Sequence, residues 1–163
     1  MSVTISAATE QDAEQILKLQ YLCYQSEAEL SGDYGIEPLT EPLSSLRAEL
    51  ADGTVLVARL GQEVVASVRG TADPDGTARL NKLIVHPRMQ RHGIGARLLR
   101  AAEAALVGER GAKRIQLHTG GRAGGNLRLY RSVGYETVGT SQGDDGVTVI
   151  VLEKPAETYA TTA

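Results

Sequence analysis

Pro87-Arg88-Met89-Gln90-Arg91-His92-Gly93-Ile94-Gly95-Ala96-Arg97-Leu98 is the stretch from which the rest of the chain is read. An apolar, strand-like run from Leu80 to Val85 feeds into it, and an amphipathic helix pattern leaves it, with apolar residues at Ile94, Leu98, Ala101, Ala102 and Ala105. Gly93 and Gly95 at a helix start let the backbone approach a ligand with no Cβ in the way. The N–H groups of that first turn lack partners within the helix and favour an anion. The segment is therefore shaped to hold a phosphate or pyrophosphate. The plain structural alternative is a tight strand-to-helix turn with no ligand.

Two nucleotide motifs compete for this stretch. A dinucleotide fingerprint needs G-x-G-x-x-G close behind its strand. Here Leu98 replaces the third glycine, and several residues separate Val85 from Gly93. A P-loop needs a Lys-Ser or Lys-Thr pair, and the chain has none. What remains is Gln90-x-x-Gly93-x-Gly95 after a strand ending Leu83-Ile84-Val85-x-Pro87. That pattern resembles the acyl-CoA-binding segment of the GCN5-related N-acetyltransferases, the GNAT superfamily. The resemblance implies that Leu83, Ile84 and Val85 hydrogen-bond the pantetheine arm. It implies that Gln90, Arg91, His92, Gly93, Ile94, Gly95 and Ala96 hold the pyrophosphate, Arg91 to Ala96 through main-chain N–H groups.

Charge supports a polyanionic partner. Residues 1–53 carry ten acidic side chains against Lys18 and Arg47, whereas residues 79–131 carry twelve basic ones against Glu103 and Glu109. A basic block around a phosphate-shaped turn suits coenzyme A. It lacks interleaved aromatics and the whole chain has a net charge of −3, so nucleic acid is not the expected partner. No apolar run approaches a membrane span, and the N-terminus lacks the pattern of a signal peptide. One cysteine, Cys23, rules out an internal disulfide, and the three histidines show no metal-ligand spacing. A cytoplasmic setting and no metal are the expectations.

Outward from the turn, 163 residues fit one domain, expected over residues 1–154 with a frayed tail from 155 to 163. Residues 3–7 alternate as a strand. Thr9 and Asp12 give a capping signal for a helix reaching about Tyr24 or beyond. Gly32 to Pro38 reads as loop, and Thr40 as the cap of a second helix with Pro42 in its first turn and a Leu43, Leu46, Leu50 stripe. A hairpin over 55–60 and 64–68, a strand over 79–85, the helix over 93–107 and a strand over 114–119 follow. Gly120 to Gly125 reads as a flexible connection, Asn126 to Ser132 as a short helix, and a final hairpin turns at Gly143-Asp144-Asp145-Gly146. This order is similar to the whole GNAT fold. The resemblance implies an α+β (mixed α/β) chain with a twisted, mixed, mostly antiparallel sheet of about seven strands flanked by about four helices.

Asn126-Leu-Arg-Leu-Tyr130-Arg-Ser-Val-Gly134-Tyr135 resembles a second GNAT segment, a short helix ending in Tyr, then Gly and an aromatic. The resemblance implies that Tyr130 faces the leaving thiolate and that Asn126 contacts the cofactor. An asparagine seven residues before the tyrosine is common in the family, and Ala123 stands there in this chain. On its own residues, Tyr130 also reads as a half-buried core tyrosine and Gly134 as a helix cap.

Acetyl transfer to an amine needs a neutral amine, a donor for the developing oxyanion and a stabilised thiolate. Many family members carry a base on the strand before the turn, where this chain has Asn81 and Lys82. Another subgroup carries a glutamate twelve residues before the tyrosine, where this chain has His118. A histidine, with an ordinary pKa of about 6.5, can accept a proton at neutral pH. His118 as base, or water oriented by Asn81 or His118, are the open readings, beside a His118 of no catalytic role. Cys23, on an apolar stripe, reads as a packed thiol rather than an acetyl carrier.

In GNAT proteins the first two helices shape the acceptor pocket. Tyr24, Glu27, Asp33 and Tyr34 stand in that region, with Tyr21, Glu29, Glu37 and Glu41. They could receive a cationic amine or form an acidic solvated surface. The resemblance implies an acetyl-CoA-dependent N-acetyltransferase acting on a primary amine of a small molecule or peptide, by direct attack in a ternary complex. It also allows a homodimer. The alternatives are a catalytically silent acyl-CoA-binding or regulatory domain, and a nucleotide-binding α/β module.

Overall fold

The computed structural model describes residues 2–120, 127–142 and 148–156. Its elements run β1 (Val3–Ala7), a 3-10 turn (Glu10–Asp12), α1 (Ala13–Ser31), α2 (Glu37–Thr40), α3 (Leu43–Asp52), β2 (Thr54–Leu60), β3 (Glu63–Ala72) and β4 (Thr77–Val85). A second 3-10 turn (Pro87–Met89), α4 (Ile94–Arg110), β5 (Arg114–Gly120), α5 (Leu127–Ser132), β6 (Glu136–Gln142) and β7 (Thr148–Pro155) follow. The strands form one seven-stranded sheet in the order β1-β2-β3-β4-β5-β7-β6. It is mixed: β4 pairs β5 in parallel, whereas β1 with β2, β5 with β7 and β6 with β7 are antiparallel. The fold is thus the α+β arrangement expected, with five α-helices among the described residues where about four were expected. Among the described residues no helix is long and apolar enough to cross a membrane.

The chain gathers into two compact units, Met1–Arg69 with Lys82–Ala102, and Gly70–Asn81 with Glu103–Ala163. In the first, Asp12 accepts from the Thr9 N–H at 2.8 Å and from the Arg59 guanidinium at 2.7 Å, fixing the entry to α1. The helix then runs seven residues past Tyr24 and ends at Gly32, whose φ of 72° gives the left-handed cap. Its buried stripe of Ala13, Ile16, Leu17 and Leu19 packs with Leu46 of α3, Val55 and Val57 of β2, Val64 of β3 and Ile84 of β4. Fully burying each such side chain contributes roughly 1.5–3 kcal/mol.

The second helix differs from expectation. Glu37–Thr40 forms the short α2 where a loop was expected, and Thr40 is its last residue rather than a cap. The Thr40 hydroxyl donates back to the Ile36 and Glu37 carbonyls at 3.4 and 3.3 Å. A residue before proline is driven out of the helical region. Glu41 accordingly sits extended before Pro42, and α3 starts one residue later at Leu43.

In the second unit, β5 lies between β4 and β7, with Leu80 paired to Leu117 and Leu117 to Leu152 in the core. Gly70 suits the packing here, since a Cβ would lie 2.9 Å from a Leu106 methyl and 3.0 Å from a Leu80 methyl, and those methyls would have to shift. After α5 the chain reverses at Gly134 (φ 104°), and the Tyr135 N–H donates to the Tyr130 carbonyl at 3.1 Å. Tyr135 is buried and donates to the buried Glu103 carboxylate at 2.6 Å, while Lys154 Nζ reaches the same carboxylate at 3.1 Å. β7 runs to Pro155, and the Ala156 N–H donates to the Lys113 carbonyl at 3.0 Å, so packing continues into the expected tail. The Gly121 to Asn126 connection, the Gly143 to Gly146 turn and the tail from residue 157 lie outside the described residues.

Candidate active site

The site begins where β4 stops pairing with β5. Their parallel ladder runs from Thr77 opposite Arg114 to Leu80 opposite Leu117. Two residues on, Lys82 takes φ 50°, a left-handed backbone for a residue with a long side chain. Such a conformation costs on the order of 1–3 kcal/mol and persists only where its surroundings over-determine it. The strand then continues through Leu83, Ile84 and Val85 to the turn.

The turn is built by side chains that cap backbone. The His86 Nδ1 accepts from the Arg88 N–H at 3.1 Å, which closes the 3-10 turn at Pro87. The Gln90 amide donates to the Val85 carbonyl at 3.2 Å, and the Cys23 thiol approaches the same carbonyl at 3.4 Å. Gln90 therefore holds the turn to the end of its strand. Burial pushes the Cys23 thiol up to about 11, against a weaker opposing effect of the Val85 bond, so it is not a nucleophile near neutral pH. Arg91 (φ 69°) and Gly93 (φ 76°) bend the chain into α4, and a Cβ at Gly93 would meet nothing within 4 Å. Arg91, His92 and Gly93 are exposed, and Ile94 is buried. The Arg97 N–H is the first to close a helical bond, onto the Gly93 carbonyl at 3.1 Å. The amides of Ile94, Gly95 and Ala96 therefore have no partner of the helical i−4 kind and carry the positive end of a 17-residue helix.

The residues expected on the acceptor side divide into two sets. Glu41 is buried, and both its oxygens accept from Arg69, each at 2.8 Å. Gln20 donates to it at 3.0 Å, Ser45 at 3.0 Å, and Lys82 lies 3.1 Å away. Burial alone would raise its pKa, but the Arg69 guanidinium and the Gln20 amide outweigh that and hold the carboxyl at about 2. The Tyr21 hydroxyl donates to the Glu41 carbonyl at 2.8 Å, and Glu37 pairs with Lys82 at 2.9 Å. These acids and Tyr21 are committed to the framework. Glu27 is half-buried, and desolvation pushes its carboxyl above the usual range. Tyr24 is half-buried, Tyr34 is exposed, and Asp33 accepts from the Gly35 N–H at 2.8 Å.

Asn81 and His118 each follow the last pair of the β4–β5 ladder in the second unit. Leu80 and Leu117 are paired and buried, so the next residue of each strand turns to the opposite face, where both are exposed. Desolvation first, and the Arg79 charge second, push the His118 pKa below its usual 6.5, which leaves the imidazole neutral at pH 7. Tyr130 lies on α5, only 6% exposed, with its ring edge-on to Tyr135 at 6.4 Å and 69°. Asn126 lies outside the described residues.

The seven-stranded mixed sheet with its helices is the fold the chain shares with known proteins. The acetyltransferase (GNAT) family model matches residues 13–135. The chain belongs to the GNAT family. Several solved GNAT-type structures have the same fold. PaiA N-acetyltransferase from Thermoplasma acidophilum, in complex with coenzyme A, is 18% identical, with a TM-score of 0.78 over 95% of this chain and 99% of that one. Ribosomal-protein-S18-alanine N-acetyltransferase from Escherichia coli is 17% identical, with a TM-score of 0.75 over 95% of this chain and 94% of that one. An aminoglycoside 6'-N-acetyltransferase complexed with coenzyme A is 17% identical, with a TM-score of 0.74 over 94% of this chain and 97% of that one. No curated protein sequence matches.

Sequence reasoning passed over Arg69 and the role of Lys82. A signal was present for the first: Arg69 closes an otherwise uncharged run, Val64-Val65-Ala66-Ser67-Val68. A charge in a buried strand demands a partner charge. Nothing local marked Lys82, because its partners lie more than forty residues away in sequence.

Proposed function

We propose that this GNAT protein transfers an acetyl group from acetyl-CoA to a primary amine of a small molecule or peptide, by direct attack in a ternary complex. The observation that carries this reading is the open turn at Arg91–Gly93 leading into the first-turn amides of α4, which have no i−4 helical acceptor. The residues fit a diphosphate. The Gly93 position leaves room for close approach, the N–H groups of Ile94, Gly95 and Ala96 are donors, and Arg91 and His92 are exposed beside them. The backbone of Leu83, Ile84 and Val85 would hold the pantetheine arm, with Asn126 a further contact. Acetyl-CoA, when bound, supplies an acyl group activated as a thioester.

The chain's own side chains would manage protons and charge. His118, neutral at pH 7, accepts the amine proton directly or through water held with Asn81. Tyr130 donates a hydrogen bond toward the departing sulfur. Glu27 and Asp33, with Tyr24 and Tyr34, would receive the cationic amine.

Calorimetry with coenzyme A and with ADP, followed by thiol release across amines, polyamines, aminoglycosides and peptides, tests the reading. Coenzyme A should bind more tightly than ADP, and at least one amine should release thiol. Binding without release on any amine would make the protein a silent binder. Tyr130→Phe should lower turnover by about tenfold or more with coenzyme A affinity little changed, and unaltered turnover would remove Tyr130 from the chemistry.

A further inference from the structure

Lys82 and Arg91 are the described non-glycine residues with left-handed backbones. Arg91 is exposed in the turn, whereas the Lys82 side chain is 15% exposed and carries two ion pairs. Its ammonium lies 3.1 Å from Glu41, which is buried and gripped by both terminal nitrogens of Arg69. It lies 2.9 Å from Glu37, the exposed first residue of α2. The kinked position of β4 is therefore anchored through Glu41 to the Arg69 network and through Glu37 to α2. A lysine released from these anchors would relax toward the extended backbone that side chains prefer. The peptide groups of Leu83 to Val85 would rotate with it. Gly93 adopts its left-handed backbone without a side-chain tether, so the pyrophosphate turn is held by different means.

We propose that Lys82 is a positioning residue, whose paired bonds to Glu37 and Glu41 hold the β4 kink and so orient the Leu83–Val85 backbone for the arm of the thiol carrier. This rests on the acyl-CoA reading of the site. The test separates the arm from the nucleotide end by using coenzyme A, which has both, and ADP, which has only the diphosphate and nucleoside.

Lys82→Met keeps the apolar stem and loses the charge. It should weaken coenzyme A binding by about tenfold and leave ADP binding unchanged, while Lys82→Arg should remain within about twofold of the parent. Glu37→Gln, at an exposed position, should cost about threefold for coenzyme A alone. Parent-like coenzyme A binding by Lys82→Met, or equal losses for both ligands, would overturn the assignment. If Lys82→Met does not fold, Glu37→Gln decides: parent affinity for coenzyme A rejects the proposal, and a loss confined to coenzyme A supports it. A parent protein that binds neither ligand overturns the acyl-CoA reading itself, and the proposal with it.

Discussion

Each unit buries a charge, and the two solve the problem in opposite ways. In the first, a cation is central: Arg69 is ringed by Glu41, Glu49 and the Gln20 amide oxygen. In the second, an anion is central: Glu103 receives Tyr135 and Lys154. A guanidinium cannot shed its proton, so Arg69 stays charged and needs carboxylates that stay charged with it. Glu103 takes one of its partners as a neutral phenol. The first network therefore depends on ionised acids, and the second depends less on any one charge.

The contrast can be broken most sharply at Arg69. Arg69→Met should destabilise the protein by about 3–5 kcal/mol in urea unfolding, because it strands the buried Glu41 carboxylate. A loss below about 1 kcal/mol would show that Lys82 and Gln20 suffice. Tyr135→Phe should cost less, about 1.5–3 kcal/mol, since Lys154 still reaches Glu103. An equal or larger loss would erase the asymmetry.

Acid sharpens the comparison further. The Glu41 carboxyl falls from an ordinary 4.5 to about 2 on folding, so the unfolded chain takes up its proton first as pH drops. The stability it contributes is complete above about pH 4.5 and is lost as pH falls toward 2. Urea midpoints recorded across that window should drop less for Glu41→Gln than for the parent, and parallel curves would contradict the assignment. The smallest expected effect is at Gly93→Ala, about 1 kcal/mol from the left-handed backbone alone, because no neighbour crowds the new methyl. A larger loss in thermal unfolding would mean that the turn is held more tightly than its open surroundings indicate.

Local pattern made the turn and most elements legible. Ile94, Leu98 and Ala102 share one face of α4 at helical spacing, and Gly93 marks the bend before it. Thr40 was misleading because its capping chemistry is real, yet Pro42 sets the backbone of Glu41 and shifts the boundary. The acidic residues of the region between Tyr21 and Glu41 looked alike in sequence. Only folding separates Glu41, buried on an arginine twenty-eight residues away, from Glu27, which has a desolvated carboxyl. His118 and Asn81 each stand one residue past the paired Leu117 and Leu80, a relation set by strand register that spacing between distant segments does not reveal.

β7 follows β6 in the chain but lies between β5 and β6 in the sheet. During synthesis β5 emerges with its β4 neighbour already made, while its other flank waits for Thr148–Pro155. Until then a nascent chain carries a bare strand edge, open to pairing with other polypeptides. Completion of Thr148–Pro155, rather than emergence of the coenzyme-type turn, is thus the step that lets this sheet close.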